Sequence, residues 1–229
     1  MNITYIHHSA FLAETESACL LFDYFKGDLP PIPAQKPLYI LASHGHGDHF
    51  YEKIFSIIHP NITFLLSCDI PAEVVPETLK SCTHFLRPHE VWEDDILSLE
   101  TFRSTDEGVA CWCRVDGKEI YHAGDLNHWY WEGEAEAWNR NMTEAYRAEI
   151  ARMAGRRADI AFLPADPRQG EWFCLGADDF MKQVSAEKIF PMHFWGDFDV
   201  CCRLKEHPCA EGYRDRIMII TEKGQRFSL

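Results

Sequence analysis

No stretch of this 229-residue sequence approaches the ~20 consecutive apolar residues that a membrane-spanning helix needs. The start, Met1-Asn2-Ile3-Thr4-Tyr5-Ile6-His7-His8, has neither the basic n-region nor the long apolar run of a secretory signal. Positive charge is scarce. Lys and Arg number 22 against 36 Asp and Glu, a formal net charge of −14. Nucleic-acid binding draws most of its affinity from Lys and Arg neutralising phosphates, and Arg156-Arg157 is the one basic cluster, so no nucleic-acid partner is expected. No CxxC pair occurs among the nine cysteines, and their number is odd. Neither a zinc ribbon nor a disulfide framework fits that usage. The expectation is reduced thiols, mostly small core residues, in a cytoplasmic protein. Internal repeats, low-complexity tracts and linkers are also missing. The expected partner is a small molecule, not a nucleic acid or a membrane; no pattern speaks to the oligomeric state.

Hydrophobic residues make up 46% and charged residues 25%, the balance of an ordinary globular protein. One α/β domain over residues 1–229 is expected. Strands are predicted at Asn2–His7, Ala10–Glu14, Ala18–Asp23, Ile62–Leu66, His84–Leu86, Ile96–Arg103, Asp159–Leu163 and Lys188–Pro191. Leu38–Ala42 is a continuous apolar run, which suits a strand buried on both faces. Val109–Val115 and Glu119–His122 flank Asp116-Gly117, a strong hairpin signal. Helices are predicted at Tyr51–Ser56, Glu132–Arg156, Ala177–Ala186 and Val200–Glu206. Arg216–Thr221 and Gln225–Leu229 read as a closing hairpin around Lys223-Gly224.

The chemistry concentrates in His44-x-His46-x-Asp48-His49. Three imidazoles and a carboxylate lie within six residues, directly after the buried run. Imidazole and carboxylate suit zinc, iron or manganese. A polar loop rich in histidine by chance is the bland alternative, and the density of ligands argues against it.

This motif after a buried strand resembles the metallo-β-lactamase superfamily, and the resemblance runs along nearly the whole chain. Asp23 in Leu20-Leu21-Phe22-Asp23 resembles the aspartate behind the family's metal loop. Tyr121-His122-Ala123-Gly124-Asp125 resembles its strand-end Gly-Asp, whose carboxylate bridges two metals. Phe190-Pro191-Met192-His193 resembles the late histidine of the second site. Order and spacing are similar to the compact hydrolase branch that includes ascorbate-6-phosphate lactonase-like proteins. The resemblance implies an αββα four-layer sandwich with metals on loops after strand ends. It implies one site of His44, His46 and Asp125, and a second of Asp48, His49, His193 and shared Asp125. It also implies a metal-dependent hydrolase, with one or two Zn²⁺ ions (or Mn²⁺ or Fe²⁺). A metal-bound hydroxide would cleave an ester, lactone or phosphoester of a small molecule, with Asp48 orienting water or passing a proton. Other readings are a phosphodiesterase on a nucleotide or lipid-like substrate, and a metal-binding or sensing protein with degenerate catalysis.

One departure stands out. The family's third histidine of the first site should fall just before Val109–Val115, where this chain has Ser104-Thr105-Asp106-Glu107-Gly108. Asp106 is the favoured replacement, and His84, His89 and His122 are the alternatives. His8-Ser9-Ala10-Phe11 resembles an element near the family's site floor, against a strand-end histidine of no special role. Trp129, Trp131 and Trp195, with Asn127, His128 and Phe194, are candidates to wall a pocket. Arg168, after Asp166-Pro167, either holds a substrate anion or simply pairs with Asp166. Glu132, Glu134 and Glu136 read as a solvated helix start.

Overall fold

The computed structural model describes all 229 residues. Seven strands form one sheet in the order β13 (Arg226–Ser228), β1 (Asn2–His7), β2 (Ala10–Glu14), β3 (Cys19–Phe22), β4 (Leu38–Ala42), β5 (Ile62–Ser67) and β6 (Thr83–Leu86). Six form the other: β12 (Ala186–Met192), β11 (Ala158–Pro164), β10 (Lys118–His122), β9 (Val109–Val115), β8 (Ser98–Arg103) and β7 (Val91–Glu93). Both sheets are mixed. β3 to β6 run parallel, as do β10 to β12, and the remaining neighbours are antiparallel.

The apolar patterns follow from this packing. Every residue of β4 is buried. Tyr39 and Leu41 enter a core of 50 buried residues that runs between the sheets and on beneath the helices of the second, while Leu38, Ile40 and Ala42 enter a second cluster of 15 on the outer face of the first. A parallel strand covered on both sides can therefore be apolar throughout. In the second sheet, His122 stacks on Phe22 across the sandwich, with ring centres 4.8 Å apart. The preceding residue, Tyr121, points to the opposite face and stacks on Phe180. That face is covered by α1 (Glu136–Arg152) and α2 (Leu175–Gln183), which bury Tyr146, Ile150 and Phe180. A third helix, α3 (Asp199–Glu206), buries Val200, Cys201 and Leu204 in the same core.

The architecture is the expected α/β sandwich, with local differences. The helical layer outside the first sheet consists of 3-10 turns, Glu52–Ser56 and Glu77–Cys82 among them, where a helix over Tyr51–Ser56 was expected. Helix α1 is shorter than the predicted 132–156, because Ala135 is extended and the chain has not yet turned helical. The Asp116-Gly117 hairpin forms, with both residues left-handed (φ 52 and 69). The expected closing hairpin does not. Ile217 bridges Ile189 of the second sheet, whereas β13 pairs with β1 of the first. Each half finds a partner in a different sheet, so Lys223-Gly224 joins the sheets instead of closing a two-stranded ribbon. Pairing on existing strands buries more than an isolated hairpin can.

The sheets meet tightly at one place. Val109 N–H donates to Ser43 O at 2.9 Å, tying the start of β9 to the end of β4. Gly108 (φ +74) and Gly124 (φ +52) back onto Ser43 and His44. A Cβ on Gly108 would stand 2.6 Å from His44 Cβ, and one on Gly124 would stand 2.7 Å from Ser43 Cβ. Gly117 provides the comparison, being left-handed with nothing within 4 Å of its Cβ position. Gly117→Ala should cost about 1 kcal/mol through backbone strain alone. Gly108→Ala should add about 1–3 kcal/mol of overpacking. Thermal unfolding of the two variants checks this; equal shifts would show that the seam is loose.

Candidate metal centre

The functional side chains sit where strands end. His44 to His49 follow β4, Asp125 follows β10, His193 follows β12, and His8 lies in the turn between β1 and β2. Two groups of four ligand atoms result, each drawn within 4.8 Å of one another: His44, His46, Asp106 and Asp125, and His8, Asp48, His49 and His193. Asp125 stands between them. Its Oδ1 is 3.2 Å from His49 Nε2 and 3.4 Å from His193 Nε2, and its Oδ2 is 3.8 Å from His44 Nε2. Asp48 Oδ2 lies 3.4 Å from His8 Nε2, and Asp106 Oδ2 lies 3.5 Å from His46 Nδ1.

Hydrogen bonds on the far side of each ring set its tautomer. Ser43 Oγ–H donates to Asp23 Oδ2, so that hydroxyl can only accept from His44 Nδ1–H, at 3.0 Å. His49 Nδ1–H donates to Asp23 at 2.7 Å, and His193 Nδ1–H donates to Asp166 at 3.0 Å. All three rings thus aim an Nε2 lone pair inward. Orienting acids of this kind are the usual backing of metal-bound imidazoles.

The donor set fits divalent ions. His8 Nε2, His44 Nε2, His49 Nε2, His193 Nε2 and Asp125 Oδ1 are buried and have no hydrogen-bond partner. Leaving such groups unsatisfied costs roughly 1–3 kcal/mol each, which a bound cation would remove. Two ligand atoms ~2.0–2.2 Å from one ion stand roughly 3.2–3.6 Å apart at tetrahedral angles. The 3.2 to 3.5 Å separations above match that spacing.

The charges point the same way. Burial opposes ionisation of Asp125, yet His49 and His193 outweigh it and hold the carboxyl far below the usual range. Burial likewise opposes ionisation of Asp48, and the contact with His8 prevails. Burial works against a proton on His193, but Asp125 and Asp166 win and push its pKa up to about 10. The cluster is an anionic pocket that favours a cation, proton or metal.

Every residue expected to bind metal lies in one of the two groups. His8 joins the second group, which the sequence left undecided; its signal was the His-Ser step at a strand end. Asp166 also has a role that sequence spacing hid. It accepts from Arg168 as expected, and in addition from His193 and from Trp195 Nε1. The alternatives to Asp106 lie elsewhere. His122 Nε2–H donates to Ser9 O, His89 pairs with Glu149, and His84 packs on Trp92. Asn127 and His128 are buried in hydrogen bonds with Gln169 and Asp179 and do not line the tryptophan cavity. Phe194 is core. Trp129 and Trp131 do line a cavity of about 180 Å³, with Trp138, Met142, Thr105 and Arg168, and it opens on Asp106, Asp125 and His193.

Comparison with known proteins identifies the family. The family model described as a beta-lactamase superfamily domain matches residues 2–140. A UPF0173 metal-dependent hydrolase of Desulforamulus reducens is 46% identical over 213 residues, 85% of this chain and 84% of that protein. One from Heliobacterium modesticaldum is 23% identical, over 85% of this chain and 82% of that protein. Among solved structures, a metallo hydrolase of Ignicoccus hospitalis matches with a TM-score of 0.63 at 17% identity, covering 100% of this chain and 98% of that one. The isothiocyanate hydrolase from Delia radicum gut bacteria matches with a TM-score of 0.64 at 14% identity, covering 100% and 99%. At such identities the structural matches speak for the fold alone. The sequence relatives go further: this chain belongs to the metallo-β-lactamase superfamily and is a metal-dependent hydrolase.

Proposed function

We propose that the protein hydrolyses an ester or lactone bond of a small, partly apolar molecule in the cytoplasm, with two zinc ions (or manganese or iron) at the strand-end centre. The observation that carries the reading is the tryptophan-lined cavity opening directly on the two ligand groups. Its 180 Å³ is below the ~300–1,000 Å³ typical of drug-sized pockets, which favours a compact substrate. Divalent ions bound there supply a lowered pKa for water and a Lewis acid for the scissile group.

The chain's own residues do the rest. Trp129 and Trp131 stack parallel, 5.9 Å apart, and offer a flat apolar wall that excludes water from the leaving group. Arg168 lies over the Trp195 ring at 4.6 Å. Its Nε and Nη2 are bonded to Asp166, and Nη1 remains as a donor for a substrate oxygen. Asp48, held ionised by its contact with His8 and with 28% of its side chain exposed, can accept a hydrogen bond from the attacking water and orient it. Because Asp166 already balances Arg168, one anionic substrate oxygen suits the site better than a doubly charged phosphate. A phosphoester remains the second reading, since paired ions clamp phosphoryl oxygens well.

A panel of aryl and alkyl lactones, esters and phosphodiesters, assayed with zinc-, manganese- and iron-loaded protein, tests the reading. Turnover of phosphodiesters alone would overturn it. Protein purified without chelator should carry one to two equivalents of transition metal by elemental analysis, and Asp125→Ala should lose most of it. His46 and Asp106 are about half exposed, so the first site should be the weaker one. Asp106→Ala should weaken one ion selectively, and Asp106→His should shift its preference from manganese toward zinc. Competition with a chelator measures both, and unchanged stoichiometry in Asp106→Ala would remove Asp106 from the ligand set. Trp131→Ala should raise KM about tenfold with kcat little changed, because it removes binding common to ground and transition states.

A further inference from the structure

A second cluster of metal-ligating side chains lies apart from the strand-end centre. Cys174 immediately precedes α2. His207 ends α3, and Cys209 follows in the turn Pro208–Ala210. The ligand atoms of these three residues lie within 4.8 Å of one another. Cys174 Sγ is 3.4 Å from His207 Nδ1, across 33 residues of chain. Both cysteines are free thiols.

The spacing is that of a coordination shell. A sulfur ~2.3 Å and a nitrogen ~2.0–2.1 Å from one zinc ion stand roughly 3.5 Å apart at the tetrahedral angle. Protonation also fits. The Cys209 backbone N–H donates to His207 Nδ1 at 3.3 Å, so this nitrogen is unprotonated, and a bound ion would take over the lone pair that this long bond engages. Tyr213 Oη–H donates to Cys209 Sγ at 3.7 Å, the kind of outer bond that steadies a thiolate ligand. Phe173 packs edge-on against the His207 ring and limits its rotation. The His207-Pro208-Cys209 step presents both ligands from one rigid turn.

We infer that Cys174, His207 and Cys209 bind a thiophilic divalent ion, zinc foremost, at a structural site separate from the hydrolytic centre. Thiolate and imidazole select zinc over the harder ions that carboxylates accept. Binding forms two metal–sulfur bonds and one metal–nitrogen bond, and the two thiol protons leave to solvent. Water completes the shell from the groove beside Arg203 and Glu206. The ion would staple the start of α2 to the end of α3. The turn Pro167–Trp172 links Cys174 back to Asp166, which orients His193.

The hydrolytic centre has no sulfur ligand, which makes the test specific. Cobalt-substituted full-length protein should show thiolate-to-cobalt charge-transfer absorption in the near ultraviolet. Cys209→Ser and His207→Asn should abolish or greatly reduce it and bind one equivalent less metal. The exposed-thiol variants Cys68→Ser and Cys202→Ser should keep it. In unaltered protein, added zinc should slow alkylation of Cys174 and Cys209 at least tenfold, read by peptide mass mapping; this arm needs no variant to fold. Absence of the band together with unprotected thiols would overturn the inference. So would a Cys174–Cys209 disulfide found in protein purified without reductant and in the presence of zinc.

Discussion

Asp23 places a carboxylate at 1% exposure in the middle of the sandwich, with no Lys or Arg against it. A charge buried there without partners costs several kcal/mol, so its hydrogen bonds are obligatory. They come from Ser43 N–H, Ser43 Oγ–H and His49 Nδ1–H. The ends of β3 and β4 and the ligand loop are thereby held to one arrangement. Asp23 itself takes up left-handed backbone, φ 45, to reach all three donors. Across the sandwich His122 Nδ1 stands 3.8 Å from the same carboxylate. Through Ser43 and His49, this one acid decides which nitrogen faces the centre in two of its imidazoles.

Asp166 performs the corresponding task at the other side, below His193. The two halves differ in enclosure. His8, His49 and His193 are buried, whereas His46 and Asp106 are about half exposed beside the tryptophan cavity. One ligand group is therefore enclosed, and the other is open to solvent. Backbone strain gathers at the same place. Of the seven non-glycine residues with positive φ, four are His8, Asp23, His193 and Trp195. Strain of roughly 1–3 kcal/mol each persists only where surrounding contacts hold it, and functional sites are where it collects.

Legibility in the sequence followed locality. His44, His46, Asp48 and His49 were readable because the ligands are adjacent in the chain. The buried strand Leu38–Ala42 was readable because its pattern is an average over both faces. His8 was singled out by the His-Ser step, but its direction was not legible. The turn at His8 sends its Nε2 into the centre, while His7 packs on Phe25. The pairing of Asp166 with Arg168 spans two residues and was visible; its bond to His193 spans 27 and was not. The C-terminal strand forms as expected but its pairing was not legible for the same reason, since the register partner of Arg226 is Thr4, at the opposite end of the chain.

The sequence by itself determined the class of fold, the family and the strand ends where the candidate ligands stand. Those features rest on spacings of a few residues or on residue type. Tertiary structure alone decided the entry of His8 into the second group, the bond of Asp166 to His193, and the meeting of Cys174 with His207 and Cys209. Each depends on which strand ends and helix ends come within a few ångströms. That is settled by the packing of two sheets and their helices around a shared core, and a linear chain carries no local sign of it.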